Sequence, residues 1–302
     1  MTVEAGNEMI CCEELYKIYK TKETEVVALQ GLDLEVEKGE MLGIIGNSGS
    51  GKSTLLNMLG GLDRPTAGSL IIDGKNMLRL SERQMVQYKL DTVGFVWQNN
   101  ARNLIPYLTS VENVEFPMMI AGRKEKRKRA LELLDMVGMS NRKYSKLAQL
   151  SGGEQQRIAI SIALANNPKL LLADEPTGSV DTKTGDIIFD IFKELNRTNG
   201  ITIVIVTHDR MLSKKVERVV AIRDGRTSSE YLQKTYSEEL AALAKMDKTK
   251  LEDTHVELAV LDKAGRLQIP MEYLNNLGVT NKQKVAVGFE DGRIVITNPQ
   301  NK

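Results

Sequence analysis

The chain has 302 residues, room for one large domain or a large domain with a small one. Apolar residues at 41% suffice for a well-buried core, and 41 basic against 40 acidic residues leave a net charge of +1, which gives no global support to a nucleic-acid or membrane-surface binder. The adjacent Cys11 and Cys12 are poorly placed to bridge each other and fit a reducing cytosol, "MTVEAGNEMICCEEL" has no basic-then-apolar leader pattern, and no apolar run nears the roughly 20 residues of a membrane helix, so a soluble protein is expected.

In chain order, "VVALQGLDLEVEKGE" alternates and predicts antiparallel strands leading into a core. Next come the continuous apolar runs "MLGII" (41–45), "VGFVW" (93–97), "KLLLAD" (169–174), "ITIVIV" (201–206) and "RVVAI" (218–222). Such runs suit parallel strands buried on both faces. Helical patterns, "STLLNMLGGL" and "TGDIIFDIFKELNRT", stand between them, so an α/β core with a mainly parallel sheet is expected through about residue 228. Residues 104–149 read as a helical insertion, whose basic run "RKEKRKR" (123–129) fits a solvated helix start. From Arg226 to Lys250 the polar composition predicts a short helical linker, with the linker proper over 229–250. Residues 251–302 read as a small β-rich or α+β unit with "GR" and "DGR" turns and one short helix after Pro270.

"GNSGSGKST" matches the pattern Gly-four residues-Gly-Lys-Ser between a strand and a helix. Glycines let successive N–H groups point at phosphates, and the helix N-terminus adds positive potential. The candidate phosphate cradle is Gly46, Asn47, Ser48, Gly49, Ser50, Gly51, Lys52, Ser53 and Thr54, with Lys52 on the β/γ-phosphates and the Ser53 hydroxyl on Mg²⁺. A buried strand ends in Asp174, able to hold Mg²⁺ directly or through water. Glu175 follows, placed to activate water as a general base. His208 ends another strand of the sheet, where it would contact a γ-phosphate or Glu175, and Gln98 ends a third, within reach of Mg²⁺ or the attacking water.

"GNSGSGKST", "VWQ", "LSGGE", "LLLADEP", "SVD" and "VTH", in that order, resemble the ATP-binding subunits of ABC transporters over residues 9 to about 228. The finer stretches "GNSGSGKSTLLNMLGGLDRPTAG" and "ADEPTGSVD" resemble the subfamily of macrolide-export and lipoprotein-release ATPases. The resemblance implies a P-loop NTPase core with an antiparallel β subdomain, ATP and Mg²⁺ as ligands, and Tyr19 stacked on adenine. It also implies that Asp181 belongs to a dimer-interface loop, and that Ser151, Gly152, Gly153 and Glu154 cover the γ-phosphate held by a second subunit. The expected protein is thus a homodimeric ATPase, peripheral on the cytoplasmic face of a membrane through a separately encoded permease that handles a lipid, lipoprotein, peptide or drug. The alternative is an ATPase transmitting mechanical work to an extracytoplasmic enzyme. A nucleic-acid ATPase of the repair or translation type is disfavoured by the short interval 99–149 and the single phosphate loop, so no nucleic-acid partner is expected.

The stretches "DKAGRLQIP" and "EDGRIVI" resemble swapped-hairpin domains of the AbrB and SpoVT type, which implies dimerisation of residues 251–302. Seven acids against six bases give that segment a net charge of 6 − 7 = −1, which argues against DNA binding by it.

Overall fold

A computed structural model describes residues 7–20, 23–98, 103–208, 215–233, 255–261, 265–269, 271–279, 285–290 and 292–298. The chain divides into two compact units, Met1–Leu258 and Ala259–Lys302.

The first unit has two sheets. Strands β1 (Glu8–Lys20), β2 (Glu25–Glu37), β4 (Ala67–Ile72) and β5 (Lys75–Asn76) form an antiparallel sheet in the order β2-β1-β4-β5, as the alternating pattern predicts. Strands β3 (Met41–Ile45), β6 (Val93–Val96), β7 (Leu170–Asp174), β8 (Thr202–Thr207) and β9 (Arg218–Arg223) form the parallel core of the second, in the order β9-β3-β8-β7-β6. Their continuous apolar runs have a direct cause. Leu170, Leu172, Val204 and Val206 pack in one apolar cluster, with Leu55 and Leu56 of α1 (Lys52–Leu59) and the antiparallel sheet. Leu171, Ala173, Ile203 and Ile205 pack in another, with Phe189 and Phe192 of α6 (Thr182–Asn199). Side chains alternate between faces, and both faces are dry.

The helical insertion contains α3 (Ser110–Ile120) and α4 (Lys126–Met136) and is followed by α5 (Gly152–Leu164); a further helix, α2 (Glu82–Asp91), precedes β6. Helix α3 starts at a capping box in which Thr109 Oγ1 accepts from Glu112 N and the Glu112 carboxylate accepts from Thr109 N. Leu133 and Leu134 turn α4 inward, while its basic N-terminal turn is exposed, matching the solvated helix start. The buried Ser161 hydroxyl donates to Leu133 O and ties α4 to α5.

The helical linker expected from Arg226 is corrected over its first part. Residues Arg226–Gln233 form a strand, β10, antiparallel to β9 in the register Arg226↔Arg223 through Leu232↔Arg218. Asp224 (φ 50°) and Gly225 (φ 73°) both adopt left-handed backbone, the two-residue turn that reverses a chain into a hairpin. Polar composition concealed the strand. Ser228 and Ser229 are buried, the Ser228 hydroxyl donates to Ala221 O, and Arg218 bridges Glu40 and Glu230. Strand β11 (His255–Ala259) lies beyond β10 in the same sheet. Residues 234–250 of the expected linker lie outside the described residues.

In the second unit, α7 (Met271–Asn276) is followed by a hairpin of β12 (Ala286–Glu290) and β13 (Arg293–Thr297), the short helix and strand pair read from the sequence. Asn298 Nδ2 donates to Leu277 O and Gly278 O, tying the end of β13 to the end of α7.

Candidate active site

Because β3, β6, β7 and β8 are parallel neighbours, the loops at their C-terminal ends emerge on one edge of the sheet. Those loops carry Gly46–Gly51, Gln98, Asp174–Glu175 and His208.

The loop after β3 turns tightly through left-handed glycines, Gly49 at φ 78° and Gly51 at φ 104°. A side chain at Gly51 would put its Cβ 2.6 Å from Ala28 O, and one at Gly46 would meet Ile222 O at 2.3 Å. Lys52 opens α1, is 6% exposed, and folds back so that Nζ donates to Gly46 O and Asn47 O, both at 2.8 Å. Burial pulls its pKa below that of an ordinary lysine, while Glu175 and Asp174 pull it back up. The Ser50 hydroxyl is buried in the same loop and has no hydrogen-bond partner. A loop with a buried, unpartnered hydroxyl, a folded-back ammonium and a helix N-terminus suits an anion bearing several oxygens.

Glu175 stands opposite with φ 45°, a conformation that costs a non-glycine residue about 1 kcal/mol or more. Its N–H donates to Val206 O at 2.8 Å and so stays on the β8 ladder, while the side chain turns out of it. Glu175 Oε2 accepts from Gln98 Nε2 at 3.2 Å and lies 2.9 Å from His208 Nδ1. Gly178 closes the floor: a Cβ there would stand 3.3 Å from both Gln98 Nε2 and Glu175 Oε2. The predicted Gln98, Glu175 and His208 therefore meet at one carboxylate, and Asp174 and Glu175 act electrostatically on Lys52.

Ser151 is the N-cap of α5: its Oγ accepts from Glu154 N, and Glu154 Oε2 accepts from Ser151 N at 2.8 Å. That backbone hydrogen bond, first among several contacts that include Arg142, holds the Glu154 carboxyl below its ordinary pKa. Gly153 has a packing reason to be glycine, since a Cβ would reach 2.4 Å from Thr184 Cγ2. Thr184 is held in turn by Asp181, the N-cap of α6, whose carboxylate accepts from Thr184 N at 3.0 Å and Thr184 Oγ1 at 2.8 Å. The Ser151–Glu154 turn and the Asp181 loop are thus one packed surface.

Tyr19 lies on β1, 39% exposed, with its hydroxyl donating to Asp63 Oδ2 at 2.8 Å and Lys17 Nζ 4.8 Å from the ring centre. Burial and Asp63 together raise the pKa of the Tyr19 hydroxyl, while the side chain of Thr54 on α1 works against them, so the ring lies near the helix that follows the phosphate loop. Sequence reasoning missed Asp63, Gly178 and Thr184. Asp63 and Thr184 act through partners remote in the pattern, while Gly178, three residues past Glu175, is the one whose position was a usable signal.

The profile of the ABC transporter family matches residues 29–178. The chain is 49% identical over 215 residues to an uncharacterized ABC transporter ATP-binding protein of Thermotoga maritima, spanning 70% of this chain and 91% of that one. It is 47% identical over 222 residues to the lipoprotein-releasing system ATP-binding protein LolD 2 of Caulobacter vibrioides, spanning 73% and 96%. Among solved structures, it resembles a dimeric post-hydrolysis state of the ATP-binding cassette MJ0796 bound to ADP and Pi, with a TM-score of 0.70, 42% identity and coverage of 76% and 100%. It also resembles cbiO1 of Clostridium perfringens, part of the cbiONQ transporter complex, with a TM-score of 0.68, 28% identity and coverage of 82% and 96%.

Proposed function

This chain belongs to the ABC transporter family as an ATP-binding cassette with ATPase activity, and from that premise we propose that two copies power a separately encoded permease at the cytoplasmic face of a membrane. The cargo class we assign is amphiphilic (a lipid, lipoprotein, peptide or drug), in keeping with the lipoprotein-releasing relative. The observation that carries the catalytic part is the Glu175 carboxylate, fixed between Gln98 and His208 on the edge that also bears the phosphate cradle. Glu175 accepts the proton of the attacking water, Lys52 and the loop N–H groups meet the growing charge on the phosphate oxygens, and His208 orients Glu175 and the γ-phosphate. Tyr19 offers its ring to adenine.

Mg²⁺ fits the donor set. Ser53, Asp174 and the Gln98 amide oxygen, whose Nε2 is committed to Glu175, are hard oxygen ligands. Among the described residues no group of three or more His, Cys, Asp or Glu could hold a metal, so these residues would hold Mg²⁺ only together with a bound nucleotide. When bound, Mg²⁺ neutralises charge on the β- and γ-phosphates.

Ser151, Gly152, Gly153 and Glu154 serve the nucleotide of the second copy, supported by the dimeric state of the MJ0796 relative. No helix among the described residues is long and apolar enough to cross a membrane, which fits a permease on another chain. The test is co-expression with a candidate permease of the amphiphile-exporting class: the two are expected to copurify, with ATP turnover raised in the complex. Failure to copurify, with turnover indifferent to the membrane protein, contradicts the assignment.

The second unit fits the dimerisation implied by its AbrB-like stretches. Val287 (67% exposed), Phe289 (75%) and Ile294 (67%) lie with Ile296 on one face of a hairpin that, among the described residues, pairs with no third strand. Such a hairpin is marginal in water by itself, and a second copy covers that face. Deleting residues 251–302 is therefore expected to weaken self-association without the permease. Sedimentation that gives the same association constant for both chains contradicts this role.

A further inference from the structure

Strand β6 stops at Val96, and the next residue, Trp97, is held on two sides. Its ring stacks on Phe95 with centroids 3.9 Å apart and planes 25° apart, and Phe95 in turn abuts Gly60 just past α1. Its backbone N–H and C=O are both met by one side chain: Asn103 Oδ1 accepts from Trp97 N–H at 3.4 Å, and Asn103 Nδ2 donates to Trp97 O at 3.3 Å. A carboxamide presents donor and acceptor side by side as a peptide group does, so it satisfies both strand-end groups as a neighbouring strand would. Asn103 is anchored from behind. The adjoining Leu104 is 3% exposed in the core. Both backbone groups of Ile105 are taken by Asn113 of α3, at 2.6 and 3.2 Å, and this 3% exposed residue also donates to Leu108 O and Thr109 O.

The residue after Trp97 is Gln98, whose Nε2 donates to Glu175 Oε2. We propose that Asn103 is a positioning residue for hydrolysis: by clamping Trp97 it fixes Gln98, and through Gln98 the Glu175 carboxylate. The role rests on Glu175 being the general base. In this role Asn103 acts through the backbone it holds and not on the reacting atoms.

The chain contains one tryptophan, Trp97, so its fluorescence reports on this clamp without added probes. In the full chain, Asn103→Ala is expected to lower kcat by about 10- to 100-fold with KM within about twofold, the signature of misplaced rather than missing catalytic groups. Without nucleotide, the same variant is expected to raise acrylamide quenching of Trp97. Asn103→Asp separates the clamp from bulk packing. Its carboxylate cannot donate to Trp97 O, whereas its protonated acid offers the same donor-acceptor pair as the amide. Its turnover relative to wild type is expected to be low near neutrality and to climb as pH falls through the carboxyl's titration. Unchanged quenching in Asn103→Ala, wild-type kcat in that variant, or a flat pH ratio in Asn103→Asp would each overturn the proposal. Wild-type turnover in Glu175→Gln would instead sink the general-base reading, leaving the quenching comparison as the test of the clamp itself.

Discussion

Replacing Glu175 by glutamine is expected to lower ATP turnover by about 10²- to 10⁴-fold, the range for loss of a positioned general base. The change is nearly isosteric and keeps an oxygen for Gln98 and His208 to address, at 3.2 and 2.9 Å in the native chain. The φ of 45° that turns the side chain out of the β7–β8 ladder is a property of the backbone and persists in the variant. ATP affinity should therefore hold while hydrolysis fails, and the ATP-bound pair of chains should accumulate. Single-turnover hydrolysis with parallel ATP binding checks this, and unchanged turnover refutes the assignment of Glu175.

The second large effect is expected from Lys52→Ala, about 10²- to 10³-fold in turnover, as for removal of one preorganised charge-stabilising donor. Lys52 is 6% exposed, and its ammonium bridges Gly46 O and Asn47 O across the phosphate loop. Alanine removes that brace together with the only side-chain cation in the loop "GNSGSGKST", so ATP affinity should fall as well. Loss of both affinity and turnover distinguishes this variant from Glu175→Gln. An alanine variant that binds ATP with native affinity contradicts the role of Lys52.

The core strands were legible because burial on both faces leaves no polar alternation, as Leu170 to Ala173 show by splitting between two apolar clusters. The phosphate loop was legible because its backbone demands are local: Gly49 and Gly51 must both be left-handed for the chain to turn from β3 into α1. Strand β10 was not, because its burial is of Ser228 and Ser229 and its charges pair off, as Arg218 does with Glu230. Its Asp-Gly turn was the signal to follow. Tyr19 was readable only as an aromatic residue. Its partner Asp63 is brought in by the fold, and hydrogen bonds from Lys17 and Tyr19 outweigh burial to keep that carboxyl below its ordinary pKa. Gly153 carried a double meaning that pattern alone does not separate, since it fits a phosphate-facing turn and also gives Thr184 room to pack.

Each hydrolytic site is expected to be built from two chains, the phosphate loop of one and the Ser151 turn of the other. Full-length Lys52→Ala and Ser151→Arg chains, co-expressed with different tags and isolated as heterodimers by sequential affinity steps, test it directly. Each homodimer has no complete site under either arrangement. In the heterodimer, sites shared between chains leave one intact, pairing the native loop of one chain with the native Ser151 turn of the other. ATP turnover approaching half the wild-type rate is the predicted result. Turnover no higher than in either homodimer would rule out shared sites, because it would mean that loop and turn serve the same chain.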